Sequence, residues 1–257
     1  ARTGTIPDAK TQRLINTLIE FKSAARVEGV DAVHVFATEA IRAANNGAEV
    51  LEAVARNAKI RVQVIAPRRE AELSLLGASL DAPLTDCRYL IEIGGGSVQV
   101  ATIANATVVG DVSLPLGTGR LLAKLDQAPP LDPDTVQTFL EDISAHLDNA
   151  LPTKSAEPAQ AVASGGVARG CWRALHPDGA KTIEPFEIDY LFQSCSRNAN
   201  ETTAARFGVK LKRAVAALPG AALLSILSHR LNLTSIFVSE FGVREGAILE
   251  LHRTADL

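Results

Sequence analysis

The chain has 257 residues, 47% of them hydrophobic and 21% charged, with a formal net charge of −3. That length gives one large domain or two modest ones with room for a buried core, and the mild acidity gives no electrostatic case for DNA as a partner. Three scattered cysteines without metal-ligand spacing argue against a disulfide framework and fit the reducing cytoplasm, and no apolar run reaches the ~20 residues of a membrane span.

Helical spacing of Leu14, Ile15, Leu18, Ile19 and Phe21 predicts a helix over 8–29, closed by Gly29. The β-branched and aromatic residues of "AVHVFAT" (32–38) predict a buried strand. Next, "EAIRAANNGAEVLEAVARNA" reads as helix, Asn-Asn-Gly break, helix. "IRVQVIA" (60–66) is a second strand stopped by Pro67, and "RREAELSLLGASL" is helical again. This alternation predicts an α/β layer fold.

From 88 onward the texture changes. "YLIEIGG", "VQVATIAN" and "TVVGDVSLPL" are extended segments joined by Gly or Asn turns, as in antiparallel hairpins. A helix with Pro133 near its start follows, then a strand into a glycine turn ("AQAVASGG") and a further helix. Helix then dominates 185–232, before a strand ("SIFVSEFG") and a closing helix ("VREGAILELHRT"). The break at "GASLDAPLTDC" predicts a boundary near 77–87.

The stretch "RYLIEIGGGSVQV" (88–100) interrupts a strand with Gly94, Gly95, Gly96 and Ser97. Such a turn lets a ligand approach bare backbone, and its consecutive N–H groups favour an anion. For a glycine triplet alone, a flexible hairpin turn is the commoner explanation. Two more turns repeat the theme, "LPLGTGRLL" with Gly117 and "VASGGVARG" with Gly165 and Gly166. Each leads into a helix start with an arginine nearby, Arg120 and Arg169, which favours phosphate. Arg42 heads a helix after a strand, while Glu70 and Glu72 lie beside Arg68 and Arg69 near another helix start. The pair Arg244 and Glu245 reads equally well as a surface ion pair. Composition and spacing thus reach a phosphate-binding α/β protein and stop there.

Taken in order, "ATEAIRAANNG", "VIAPRREAELSLLG", "LIEIGGGSVQV", "LPLGTGRL", "ASGGVAR" and "VSEFGVREGAILEL" resemble the exopolyphosphatase / guanosine pentaphosphate phosphohydrolase (Ppx/GppA) family across essentially the whole chain. "RFGVKLKRAVAALPGAALL" is similar to the subgroup that contains the fungal retrograde-regulation protein. The resemblance implies two ribonuclease H-like α/β domains of the actin-like superfamily facing a cleft. Residues 1–80 would be the remainder of the first and 81–257 the second, with the last helix returning to the first. It also implies hydrolysis of a terminal phosphate from polyphosphate or guanosine penta/tetraphosphate, with Mg²⁺, in a cytoplasmic homodimer.

Carried over residue by residue, the resemblance makes Glu70 the group that orients the attacking water and Arg42 a phosphate ligand. Gly94–Ser97 becomes the second phosphate loop. Glu92 stands where the family has a metal-linked aspartate, and Gln99 where it has a second catalytic carboxylate. Glutamine accepts no proton and gives a metal no charge, although it can orient a water. These departures open an alternative, a weak or inactive member that binds a phosphorylated ligand as a regulator. The family's first phosphate loop, of the type Asp-x-Gly-Ser-Asn-Ser, is not found before "ARTGTIPDAKTQ", and the chain has no methionine. The expectation is that a further strand and loop precede Ala1.

Overall fold

The computed structural model describes residues 4–30, 32–151 and 157–255, and their contacts divide the chain into two compact units, Ala1–Pro67 and Arg68–Leu257.

In the first unit, helix α1 (Asp8–Val27) ends where Gly29 takes a left-handed conformation at φ +70°. It packs on α3 (Gly47–Ala58) through Ile15, Leu18, Val54 and Ala58. Strands β1 (Val35–Ala37) and β2 (Val62–Val64) pair in parallel, with α2 (Glu39–Arg42) between them in sequence. The strand predicted over 32–38 shortens to three half-buried residues, because β2 offers only three partners.

The second unit is built on a mixed six-stranded sheet. Its strands are β3 (Cys87–Ile93), β4 (Val98–Ala104), β5 (Thr107–Leu114), β6 (Ala159–Ser164), β7 (Thr182–Ile183) and β8 (Leu233–Val238), in the order β5-β4-β3-β6-β8-β7. β3, β6 and β8 run parallel, while β3–β4–β5 form the antiparallel meander expected from the sequence. The period-2 alternation of each strand decides what covers it. Tyr89, Ile91, Ile93, Val98 and Val100 face one side, in a core shared with α6 (Pro133–Asp148), α7 (Gly165–Leu175), α8 (Pro185–Arg197) and α10 (Leu211–Arg230). Leu90, Ala101, Ile103 and Val162 face the other, against Ala71, Leu75 and Ala78 of α4 (Pro67–Ala78).

Helix α4, grouped with residues 1–80 in the sequence reading, therefore belongs to the second unit by its packing. Helix α11 (Val243–Ala255) lies against it so closely that a β-carbon on Gly246 would overlap the Leu73 carbonyl. A β-carbon on Gly77 would likewise overlap the Gly242 carbonyl. The short helices α5 (Thr118–Leu122) and α9 (Asn200–Arg206) complete the set.

One helix among the described residues, α10, is long and apolar enough to cross a membrane by length and composition. In the fold, 61% of its most apolar window is buried inside the protein, against α7 and α8, as in a core helix.

Candidate functional site

The turn between β3 and β4 is closed by the Gly94 N–H donating to the Ser97 carbonyl at 2.8 Å. Its own carbonyls are held from below by the start of α5. Thr118 N–H donates to the Gly94 carbonyl (3.0 Å), Gly119 N–H to the Gly95 carbonyl (2.9 Å), and Arg120 Nε to the Gly96 carbonyl (2.9 Å). Gly117 lies against this backbone, where any side chain would overlap Gly95 and Gly96. With the carbonyls engaged on one side, the N–H groups of Gly95 and Gly96 make no hydrogen bond among the described residues. Consecutive free N–H groups in a turn favour an anion.

A second glycine turn stands beside it. Gly165, at φ +89°, swings the chain from β6 into α7, whose first turn carries no acidic residue and no side-chain cap from Ser164. A third helix start, that of α10, brings Lys210, Lys212 and Arg213, again without an acidic residue in the first turn. Cations crowded at a helix N-terminus oppose the helix dipole, so they add to the positive potential there instead of balancing it. These three features converge on one cavity of about 450 Å³, lined by Ile93, Gly94, Gly95, Gly166, Val167, Gly170, Cys171, Lys210, Lys212, Arg213, Ala216 and Ala217. Arg213 also braces α7 by donating to the Gly166 carbonyl at 2.8 Å.

On the α4 side of the sheet a polar row crosses four strands. Ser113, Gln99, Glu92 and Ser164 are register partners on β5, β4, β3 and β6. Directly opposed residues of an antiparallel pair hold their Cβ atoms about 5 Å apart, so Glu92 and Gln99 are neighbours on one face. Ser74 of α4 donates to Glu92 Oε2 at 2.5 Å. Burial pushes the Glu92 carboxyl above its ordinary range, while the Ser74 hydroxyl and the charge of Arg169 pull it partly back. Gln99 is 5% exposed, and the fully buried Ser164 Oγ finds no hydrogen-bond partner among the described residues. Glu70 precedes Ser74 by four residues and so shares its helix face, whereas Glu72 points elsewhere and pairs with Arg68 at 3.0 Å.

The model of the Ppx/GppA phosphatase family matches residues 1–255. The chain belongs to that family. Among curated relatives it is 26% identical over 256 residues to Exopolyphosphatase 1 of Mycobacterium leprae (strain TN), covering 96% of this chain and 76% of the relative. Identity to the Exopolyphosphatase 1 of Mycobacterium tuberculosis (strain ATCC 25618 / H37Rv) is 27%, over 96% of this chain and 74% of that one. Among solved structures it resembles the Aquifex aeolicus Ppx/GppA family member with a TM-score of 0.82 at 24% identity, covering 99% of this chain and 85% of that chain. An exopolyphosphatase from Cytophaga hutchinsonii gives 0.80 at 20% identity, over 96% and 83%. At these identities the likeness is one of fold, the actin-like α/β fold expected from the sequence.

Within this Ppx/GppA protein, the second unit holds Glu70, Glu92, Gly94, Gly95, Gly96, Ser97, Gln99, Gly117, Gly165 and Gly166. Gly94, Gly95 and Gly166 line the cavity, and Gly117 supports it from beneath. Arg42 lies in the first unit, where its Nη1 donates to the Ile65 carbonyl at 2.6 Å. The two arginines read as phosphate-seeking have structural work: Arg120 holds the Gly96 carbonyl, and Arg169 Nη1 donates to the Glu240 carbonyl at 2.7 Å. Arg244 pairs with Glu245 at 3.7 Å, and Glu245 accepts from the Gly242 N–H at 2.8 Å, so this turn caps α11. Sequence reasoning missed Ser74, Ser164 and the α10 cations. The "KLKR" run was the available signal for the last of these.

The family resemblance implies Mg²⁺, which takes octahedral oxygen ligands and usually one or two carboxylates. Glu92 is the one carboxylate in the cross-strand row, its Oε2 already accepts from Ser74, and the Arg169 charge acts on it. Its neighbour Gln99 contributes no charge. No group of three or more His, Cys, Asp or Glu side chains gathers among the described residues. Glu92, with Glu70 on the helix face of Ser74, gives the one or two carboxylates such an ion uses, so these residues would fit Mg²⁺ together with substrate phosphates.

Proposed function

We propose that this Ppx/GppA protein takes the end of an inorganic polyphosphate chain at the Gly95–Gly96 nest and releases terminal phosphate to a water oriented by Glu70. The observation that carries this reading is the convergence of the nest with the starts of α7 and α10 on one cationic cavity. Phosphoryl transfer requires positioning and charge stabilisation more than covalent chemistry, and backbone N–H groups with lysines supply both. The curated relatives named as exopolyphosphatases favour polyphosphate, and guanosine penta/tetraphosphates present the same phosphoanhydride. The test is phosphate release from both substrate types by the wild type and by Glu70→Gln. Loss of a positioned base is expected to slow release at least ~100-fold; equal release from the two proteins would overturn the role of Glu70.

Gln99 supports a second reading, binding without turnover. Beside Glu92 it leaves the row with one carboxylate, buried and hydrogen-bonded by Ser74. Calorimetry showing polyphosphate binding without phosphate release, and a gain of release in Gln99→Glu, would establish it.

A further inference from the structure

We propose that Ser164 is a positioning residue for a divalent ion at Glu92, its hydroxyl holding a water of that ion's hydration shell. The inference rests on the fit of Mg²⁺ to Glu92 given above and goes beyond the phosphate-binding reading, which uses Ser164 in no role.

Ser164 and Glu92 are register partners on the parallel strands β6 and β3, whose backbones run about 4.8 Å apart. By alternation both side chains lie on the α4 side of the sheet, as do Val162 and Leu90 two residues earlier. Each has one oxygen without a partner among the described residues. Glu92 Oε2 accepts from Ser74, while Oε1 makes no hydrogen bond. Ser164 Oγ, fully buried, makes none either.

An unpaired hydroxyl in the interior costs free energy. The residues before it on β6, Ala161, Val162 and Ala163, are apolar and fully buried, so an alanine at 164 would continue the strand at lower cost. The hydroxyl therefore calls for a partner from outside the chain. Glycines keep both oxygens open to one. A β-carbon on Gly165 would stand 3.6 Å from Glu92 Oε1, and one on Gly242 would stand 3.6 Å from Ser164 Oγ, so larger side chains at either position would crowd them. Mg²⁺ gives up its waters reluctantly, and groups that fix those waters and the ligating carboxylate tune its affinity. A water polarised by the ion is a strong donor, and Ser164 Oγ is the acceptor standing beside the carboxylate.

The experiment titrates the whole chain, stripped of metal, with Mn²⁺, which shares the oxygen ligands and octahedral geometry of Mg²⁺. The electron paramagnetic resonance signal of the free ion reports uptake, with and without methylenediphosphonate as a source of phosphate oxygens, each against a blank lacking protein. Wild type is expected to take up Mn²⁺, and Glu92→Gln to lose most of that uptake. Ser164→Ala should raise the Kd for Mn²⁺ at least ~10-fold, the usual effect of losing a group that orients a metal's ligands. Ser164→Cys, close in size but a poor hydrogen-bonding group, should do the same. In thermal melts without metal, Ser164→Ala should unfold at or above the wild-type temperature, because an unpaired buried hydroxyl has been removed. Stability and metal affinity would then move in opposite directions. A purely structural serine gives a lower metal-free melting temperature in Ser164→Ala, and that result would overturn the inference. Wild-type Mn²⁺ affinity in either Ser164 variant, or full uptake by Glu92→Gln, would overturn it as well. No uptake by the wild type would overturn the fit of the ion and this inference together. Calorimetry of polyphosphate binding in EDTA would still decide the phosphate reading by itself.

Discussion

Gly117 lies directly on the backbone of Gly95 and Gly96, leaving no room for a β-carbon. The relationship is one turn stacked on another, with Thr118 and Gly119 donating upward into the carbonyls of the nest. Gly117→Ala should therefore separate the two turns, costing about 1–3 kcal/mol in urea unfolding, and should weaken polyphosphate binding beyond what the stability loss explains. By contrast, Gly95 faces open space. Gly95→Ala should leave stability nearly unchanged and affect binding alone. Equal effects of the two substitutions on stability would show that the stacking does not hold the nest.

The bond from Ser74 to Glu92 makes a pH-dependent prediction. Burial raises the folded-state pKa of Glu92, so the folded chain keeps this proton over a pH range in which the unfolded chain has released it. Its contribution to stability is therefore greatest at low pH and declines as pH rises through the folded-state value. Ser74→Ala removes the hydroxyl that favours the ionised form. The cost of this variant should grow as pH rises and Glu92 ionises, and should be smaller at the acid end of the range. Glu92→Gln should flatten the profile. Chemical denaturation across pH 4–8 checks both.

Asp132 runs the other way. It caps α6 by accepting from the Thr135 N–H at 2.9 Å and from the Thr135 hydroxyl at 2.7 Å. These bonds, that of the hydroxyl first, lower its carboxyl to about 2. The stability it contributes is present above the ordinary carboxylate range and is lost as pH falls toward the folded value. Thermal melts of Asp132→Ala should lie below wild type at pH 6, and the gap should close as pH drops toward 2. A gap that stays constant with pH would rule out the titrating cap.

Much of this was legible in the residues. The β3–β4–β5 meander followed from alternation and from glycine and asparagine turns, and Pro133 marked the start of α6. The anion site could be suspected from Gly94–Ser97 alone, because consecutive glycines leave bare backbone N–H groups open to a ligand. What lay hidden was everything that depends on register. Ser164 is far from Glu92 in sequence and meets it only because β6 pairs with β3 at that position. Ser74 reads as an ordinary helix serine until the sheet places Glu92 beneath it. The strand over 32–38 was overcalled for the same reason, since its length depends on how much of β2 is there to pair with it.

The strand order also sets a timetable for building the site. Ile93 pairs with Val98 across one tight turn, whereas Leu90 waits for Val162, and Val162 for Phe237. Local pairings close quickly and distant parallel ones slowly, because the intervening chain must first be brought together. The nest should therefore form early, inside a hairpin, before α7 and α10 arrive to surround it. Pulse-labelled hydrogen exchange should protect amides of β3, β4 and β5 ahead of those in β6 and β8, and affinity for polyphosphate should appear only with the later phase. A folding intermediate of this protein would thus carry the loop that recognises the ligand and still be unable to keep it.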